Sequence, residues 1–176
     1  MREDKLTNVE YGTTVHAILQ KLDLKGDLSR DGIADQIEKM IDRQLILEDH
    51  AHAVKIEDVE KFFESPIGLK LKNARQIFRE LSFTKLLPAN RFFSDKVKNS
   101  TDQILLQGII DLLFEDESGK WILVDYKTDR DNDPDRARER YQLQLDLYSE
   151  AVESITHSKI AEKFLYMLHG GITISI

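Results

Sequence analysis

Three ionisable residues within a short stretch could act together on a phosphate ester. Asp125 and Lys127 lie two apart in Val124-Asp125-Tyr126-Lys127, and Asp111 ends the preceding run Gly108-Ile109-Ile110-Asp111. On an extended strand the side-chain period is two, so Asp125 and Lys127 share a face. Both close an apolar run, Trp121-Ile122-Leu123-Val124, where an unpartnered charge is costly. If the strands carrying Asp111 and Asp125 pair through a hairpin at Glu115–Gly119, the two carboxylates come close. Adjacent carboxylates repel unless a proton or a metal ion intervenes. A hard cation such as Mg²⁺ takes one or two carboxylates and fills its octahedron with water and phosphate oxygens. A lysine beside it can orient a water or stabilise charge developing on a phosphorane. The competing reading is a strand-end ion pair, Asp111–Lys127 or Asp125–Lys127.

Two stretches of different period must position these groups. Before residue 75 the apolar residues recur three and four apart, the helical spacing. Val15, Ile18, Leu19 and Leu22 predict a helix that opens at Thr13 or Thr14, after Gly12, and reaches Leu24. Ile33, Ile37, Met40, Ile41 and Leu45 predict a second from about Asp31 to Leu47, and Val59, Phe62 and Phe63 a third over Ile56–Glu64. Ser65-Pro66 opens a short fourth, proline being tolerated in a first turn. From Gln76 onward the pattern is that of strands: Gln76–Phe83, Gln103–Phe114, Lys120–Lys127, Phe164–Leu168 and Ile172–Ile176. A turn at Pro88-Ala89-Asn90 and a polar loop over Arg91–Asp102 separate the first two. Lys120–Lys127 is mostly apolar and reads as a central strand. A long helix over Asp135–Ser154, with Leu143, Leu147 and Val152 inward, precedes the last pair. The expectation is a mixed α/β domain, a central sheet with helices packed on it.

Composition narrows the function classes. The 176 residues suffice for one buried core without staples. No apolar run approaches the roughly 18 residues of a membrane span, so no membrane partner is expected. With no cysteine, disulfides, iron–sulfur clusters, thiolate zinc sites and a cysteine nucleophile are excluded together. The Met1-Arg2-Glu3-Asp4-Lys5 start has no apolar leader, so a cytoplasmic location is expected. The net charge of −7 argues against passive coating of DNA or an acidic membrane. A stretch from Lys70 to Lys98 nevertheless holds eight basic residues against two acidic ones, either a polyanion-binding surface or a solvated face. No Gly-x-x-x-x-Gly-Lys-[Ser/Thr] occurs, so this stretch does not itself hydrolyse ATP.

In chain order, Gly12-Thr13-Thr14-Val15-His16, Glu80, Gly108-Ile109-Ile110-Asp111, Val124-Asp125-Tyr126-Lys127-Thr128 and Tyr141-Gln142-Leu143-Gln144-Leu145-Asp146-Leu147-Tyr148 resemble the RecB-type nuclease domain of the PD-(D/E)XK superfamily. Each motif is weak alone; five in family order are specific, and they span nearly the whole chain from Tyr11. The resemblance implies an α/β fold of restriction-endonuclease-like type, a mixed central sheet flanked by helices with an N-terminal helical segment. It implies a single nuclease domain over 1–176, helical over 1–74 and sheet-and-helix core over 75–176, as a fragment of a larger helicase/nuclease. His16, Asp111 and Asp125 match the family's metal ligands, with the backbone carbonyl of Tyr126 adding another. Lys127 matches the active-site lysine, Glu80 a catalytic acid on the first core strand, and Gln144 and Tyr148 the motif lining the DNA side. The implied cofactor is Mg²⁺, with Mn²⁺ as a substitute. The implied activity is exonucleolytic hydrolysis of single-stranded DNA fed by a helicase motor of the same parent chain, in double-strand break repair and recombination, beside a second helicase/nuclease subunit. Two alternatives stay open: an inactive DNA- or partner-binding module of the same fold, and a stand-alone restriction-type or CRISPR-associated nuclease. Without the resemblance, His16 reads as a packing histidine, Glu80 as a partner of Arg79 or Lys85, and Gln144 and Tyr148 as structural residues four apart on one helical face.

Overall fold

The computed structural model describes residues 6–93, 101–131 and 133–176. Five helices come first: α1 (Asn8–Lys21), α2 (Arg30–Asp42), α3 (Glu48–His52), α4 (Ile56–Glu64) and α5 (Pro66–Lys72). Five strands and one helix follow: β1 (Gln76–Pro88), β2 (Gln103–Glu115), β3 (Trp121–Lys127), α6 (Pro134–Thr156), β4 (Ile160–Met167) and β5 (Ile172–Ser175). The strands form one mixed sheet in sequence order. Only β3 and β4 are parallel, as the α6 crossover between them demands; the other neighbours are antiparallel. β3 is central, as its apolar run predicted.

Helix boundaries moved where caps decided them. α1 starts at Asn8, not at the threonines after Gly12. Thr7 accepts from the Glu10 amide (3.2 Å) while the Glu10 carboxylate accepts from the Thr7 amide (2.8 Å), a reciprocal capping box. Gly12 therefore lies inside the helix, where a Cβ would sit 3.2 Å from Thr128 Oγ1; its absence lets α1 close onto the end of β3. α2 stops at Asp42, Gln44 turns to φ +56, and Leu45, expected in the core, is 48% exposed. α3 was not anticipated: one turn with a single buried apolar residue, Ala51, is too short to display a period. On α6, Leu143 is 59% exposed, because Leu145 and Val152 set the inward face and a residue two positions from Leu145 points elsewhere. The expected 91–102 loop includes residues 94–100, which lie outside the described residues, together with Lys96 and Lys98. Among the described residues no helix is long and apolar enough to cross a membrane.

The sheet separates two cores. Ile122, Val124 and Tyr126 of β3 pack with α1, α2, α4 and α5; Leu123 packs with α6. On β1 and β2 this alternation breaks. Leu112 belongs to the first core and Ile110 to the second, although residues two apart on a regular strand share a face. Ile77 and Leu81 divide in the same way. The β1–β2 ribbon thus rolls over between them, where Glu80 holds φ +53, a left-handed value uncommon for a non-glycine residue. Beyond the roll, the ribbon folds down on α6, with Lys85 paired to Glu150 at 2.9 Å.

Candidate active site

The roll lies in the same transverse row as the acidic residues. Arg79 pairs with Leu112 and Leu81 with Ile110, which places Glu80 opposite Asp111. Leu112 pairs with Val124, which places Asp125 opposite Asp111 on the other side. Three carboxylates therefore stand abreast on three neighbouring strands, about 5 Å apart by strand spacing.

α1 supplies the imidazole. His16 Nδ1 lies 3.2 Å from Asp111 Oδ1 and 3.5 Å from Glu80 Oε1, and its ring meets the Tyr126 ring edge-on. Arg79 fastens the helix to the strand, donating from Nη1 to the carbonyls of Leu19 (3.1 Å) and Leu22 (2.6 Å) at the end of α1. Glu80 consequently faces His16. Neither alternative partner is free for it, since Arg79 caps α1 and Lys85 holds Glu150. The second oxygen of Asp111 accepts from the Tyr126 amide at 2.7 Å.

On the other side of the row, Lys127 Nζ lies 2.7 Å from Asp125 Oδ2, which is buried, has this ion contact and has no hydrogen-bond donor. Gln144 on α6 bridges the pair, donating to Asp125 Oδ1 (3.1 Å) and accepting from Lys127 Nζ (3.3 Å). Tyr148, one helical turn on, lines the same cleft of about 430 Å³ and meets Phe83 edge-on. Gly108 makes that packing feasible, because a Cβ there would lie 2.7 Å from Phe83 and 3.0 Å from Tyr148. Sequence reasoning missed Tyr141. Its ring lies 4.2 Å below Lys127 Nζ, and its hydroxyl donates to Asp129. Burial and Asp129 push that hydroxyl up to about 12, so it stays a donor. The signal was present in Tyr141-Gln142-Leu143-Gln144, since Tyr141 and Gln144 are three apart on one helical face.

Electrostatics show a site short of positive charge. Burial, then the neighbouring Asp111, pushes Asp125 up to about 6 despite Lys127. Burial and Asp111 likewise raise Glu80. Burial pulls His16 down, but its hydrogen bond and charge contact with Asp111, followed by Glu80 and Asp125, outweigh that and leave it above its ordinary value. Among the described residues, His16, Glu80 and Asp111 offer ligand atoms within 4.8 Å of one another. This set differs from the one the resemblance implied: Glu80 is in it, while Asp125 is turned to Lys127 and Gln144, and Tyr126 contributes its amide to Asp111. An imidazole nitrogen with carboxylate oxygens suits a divalent cation. The basic stretch, in contrast, forms no polyanion surface among the described residues. Lys70, Lys85 and Arg91 are paired to Glu162 and Glu150, and Arg79 is spent on α1.

A mixed sheet flanked by helices, with an acidic row and a lysine at the strand ends, is the restriction-endonuclease-like architecture. The family model of the PD-(D/E)XK nuclease superfamily matches residues 1–171, and the chain belongs to that superfamily. Among curated proteins it is similar to the A subunit of the ATP-dependent helicase/nuclease of Thermoanaerobacter sp. (strain X514), 38% identical over 94% of this chain and 14% of the relative. It is likewise similar to the proteins of that name from Heliobacterium modesticaldum (38%, 97% of this chain, 12% of the relative) and Lysinibacillus sphaericus (37%, 99% and 14%). The chain thus spans about one seventh of these relatives or less.

Proposed function

We propose that this chain is a metal-dependent DNA exonuclease domain that hydrolyses single-stranded DNA delivered by a helicase motor, in double-strand break repair and recombination. One observation carries the reading. Glu80, Asp111 and Asp125 stand abreast with His16 on one side and Lys127 on the other, all around one open cleft. Three carboxylates with raised proton affinity at Glu80 and Asp125 are a poor structural arrangement and a good cation site. The proposed metal ligands are His16, Asp111 and Asp125, with the Tyr126 carbonyl and with Glu80 from the same row. Mg²⁺, or Mn²⁺ in its place, supplies a Lewis acid for the phosphodiester and acidifies a bound water.

The chain's own residues do the rest. Lys127 has three donors and no lone pair, so it acts on the substrate and not as a ligand. Its ammonium, steadied by Tyr141 and Gln144, orients the attacking water or a non-bridging phosphate oxygen. Released from Lys127, Asp125 turns its buried oxygen toward the cation. Gln144 and Tyr148 form the wall along which the DNA lies. The helicase part of the parent chain, a cytoplasmic location and an AddB-like partner protein belong to the same proposal, which follows the names of the relatives.

The test is end-labelled single-stranded DNA incubated with the protein in Mg²⁺, with and without EDTA. Nucleotide release that EDTA abolishes supports the reading. The Asp125–Lys127 contact is also what a structural strand-end pair looks like. DNA binding without cleavage at any Mg²⁺ or Mn²⁺ concentration would replace the exonuclease by an inactive binding module, and internal cuts would point to a restriction-type nuclease.

A further inference from the structure

A second cleft, of about 910 Å³, adjoins the first, and the two share Thr128 and Asp129 on their common wall. It carries two aromatic rings. Tyr11 of α1 and His169, just beyond β4, lie parallel, with centroids 5.7 Å apart and planes 9° from one another. The His169 ring is held from below. Asp58, 7% exposed, sets a buried carboxylate against its Nδ1 at 3.4 Å, and that oxygen has no hydrogen-bond donor. Burying a carboxylate is expensive, and here it fixes the orientation of a ring at the edge of a cleft. The turn beyond the ring needs φ +98 and +67, which Gly170 and Gly171 supply.

The charges in this cleft differ from those elsewhere on the molecule. Lys55 and Arg130 are exposed on its walls, and among the described residues neither has an ion-pair partner, whereas Lys70, Lys85, Arg91 and Lys163 all do. Asp129, on the shared wall, is engaged by Tyr141 and by Arg140 at 3.8 Å. Two unpaired cations beside two stacked rings match the chemistry of a nucleotide whose base is not paired: every base has a π-face for the rings, and its phosphates suit the cations. The spacing agrees. Tyr11 lies five residues from His16 on the same helix, about 7.5 Å along its axis, the rise of about two stacked nucleotides.

We propose that this cleft holds the single strand on one side of the scissile phosphate, an unpaired base lying on the Tyr11–His169 pair and the adjoining phosphates on Lys55 and Arg130. The inference rests on the reading of the neighbouring cleft as the nuclease site. It assigns selection of single strands to a place outside the catalytic row, because a base in a duplex has no free face to offer.

The experiment is the binding of a fluorescein-labelled oligothymidine, and of a duplex of equal length, to the full 176-residue protein, read by anisotropy across a salt series. EDTA is present so that no cleavage intervenes. Tyr11→Leu, which keeps apolar bulk against the core, should weaken oligothymidine binding by about 5- to 100-fold, the scale of one lost base–aromatic stack. Tyr11→Phe should bind as the wild type does. An oligonucleotide with abasic sites, which alters no protein side chain, should show the same loss. The double variant Lys55→Gln, Arg130→Gln should lower the slope of log Kd against log salt by about 1.4, at about 0.7 per single-strand phosphate. The duplex should bind less tightly than the single strand. Wild-type affinity and slope in these variants, or no oligothymidine binding by the wild type, overturns the proposal. Parallel cleavage assays in Mg²⁺ separate the two readings. A protein that binds through these residues and never cuts refutes the nuclease reading alone. One that cuts while the cleft variants bind normally refutes the cleft alone.

Discussion

Asp125→Asn should make the protein more stable and catalytically dead, and the size of the gain follows from the site. The Asp125 carboxyl is 3% exposed and is raised from 3.8 to about 6, first by burial and then by Asp111. A carboxyl with a raised folded-state pKa binds its proton more tightly in the folded protein. Stability is therefore unaffected below about pH 4 and falls as pH rises through the window from about 4 to 6. Two units at about 1.36 kcal/mol each give a penalty of up to about 3 kcal/mol above pH 7. Asparagine removes the charge at almost constant volume. Its carbonyl oxygen can still accept from Gln144 Nε2, which now lies 3.1 Å from Asp125 Oδ1, and from Lys127. Allowing for the lost ion contact, we expect a gain of about 1–3 kcal/mol at pH 8, a rise in Tm of about 2–10 °C for a chain of this size. The gain should vanish at pH 4. Differential scanning calorimetry of both proteins without metal, at pH 4 and pH 8, measures it. Added Mg²⁺ should raise the Tm of the wild type more than that of the variant. A variant less stable than the wild type at pH 8 would refute the reasoning, because the Asp125–Lys127 contact would then be a stabilising bridge and the acidic row would need no cation.

Three further outcomes follow from the same geometry. Lys127→Ala should keep divalent-metal binding in titration calorimetry while single-turnover cleavage falls by about 10² or more. Lys127→Arg, with the charge but another shape, should not restore the rate. Glu80→Gly should fold at least as stably as the wild type because φ +53 suits glycine, whereas Glu80→Val should lose about 1–3 kcal/mol in urea denaturation, and both should lose cleavage. Arg79→Ala should cost about 1.5–3 kcal/mol for its charge-assisted bonds to the Leu19 and Leu22 carbonyls, and it should weaken metal binding by freeing the helix that carries His16; thermal denaturation and metal titration check the two effects.

Much of this protein was legible along the chain because its signals are local. Period-two and period-3.6 apolar patterns marked five strands and four of the helices, and the apolar run before Asp125 identified the central strand. Asp125 and Lys127 necessarily share a face, and the short hairpin after β2 brings Asp111 beside them. Glu80, Asp111, Asp125, Lys127, His16, Gln144 and Tyr148 do converge on one place. Helix starts and ends were less legible, because a capping box at Thr7 or a left-handed Gln44 outweighs where the apolar period begins or stops. Only the tertiary structure decided which partner each charge takes. Glu80 had Arg79 and Lys85 within reach along its strand. The roll of the β1–β2 ribbon turned it to His16, sent Lys85 to Glu150 and left Arg79 to fasten α1. The same holds for Tyr141 beneath Lys127 and for Tyr11 against His169, residues remote in sequence that meet because α6 and α1 pack across the end of one sheet. Side-chain alternation is written residue by residue, whereas a change of face and the meeting of distant elements depend on how the whole chain buries its two cores.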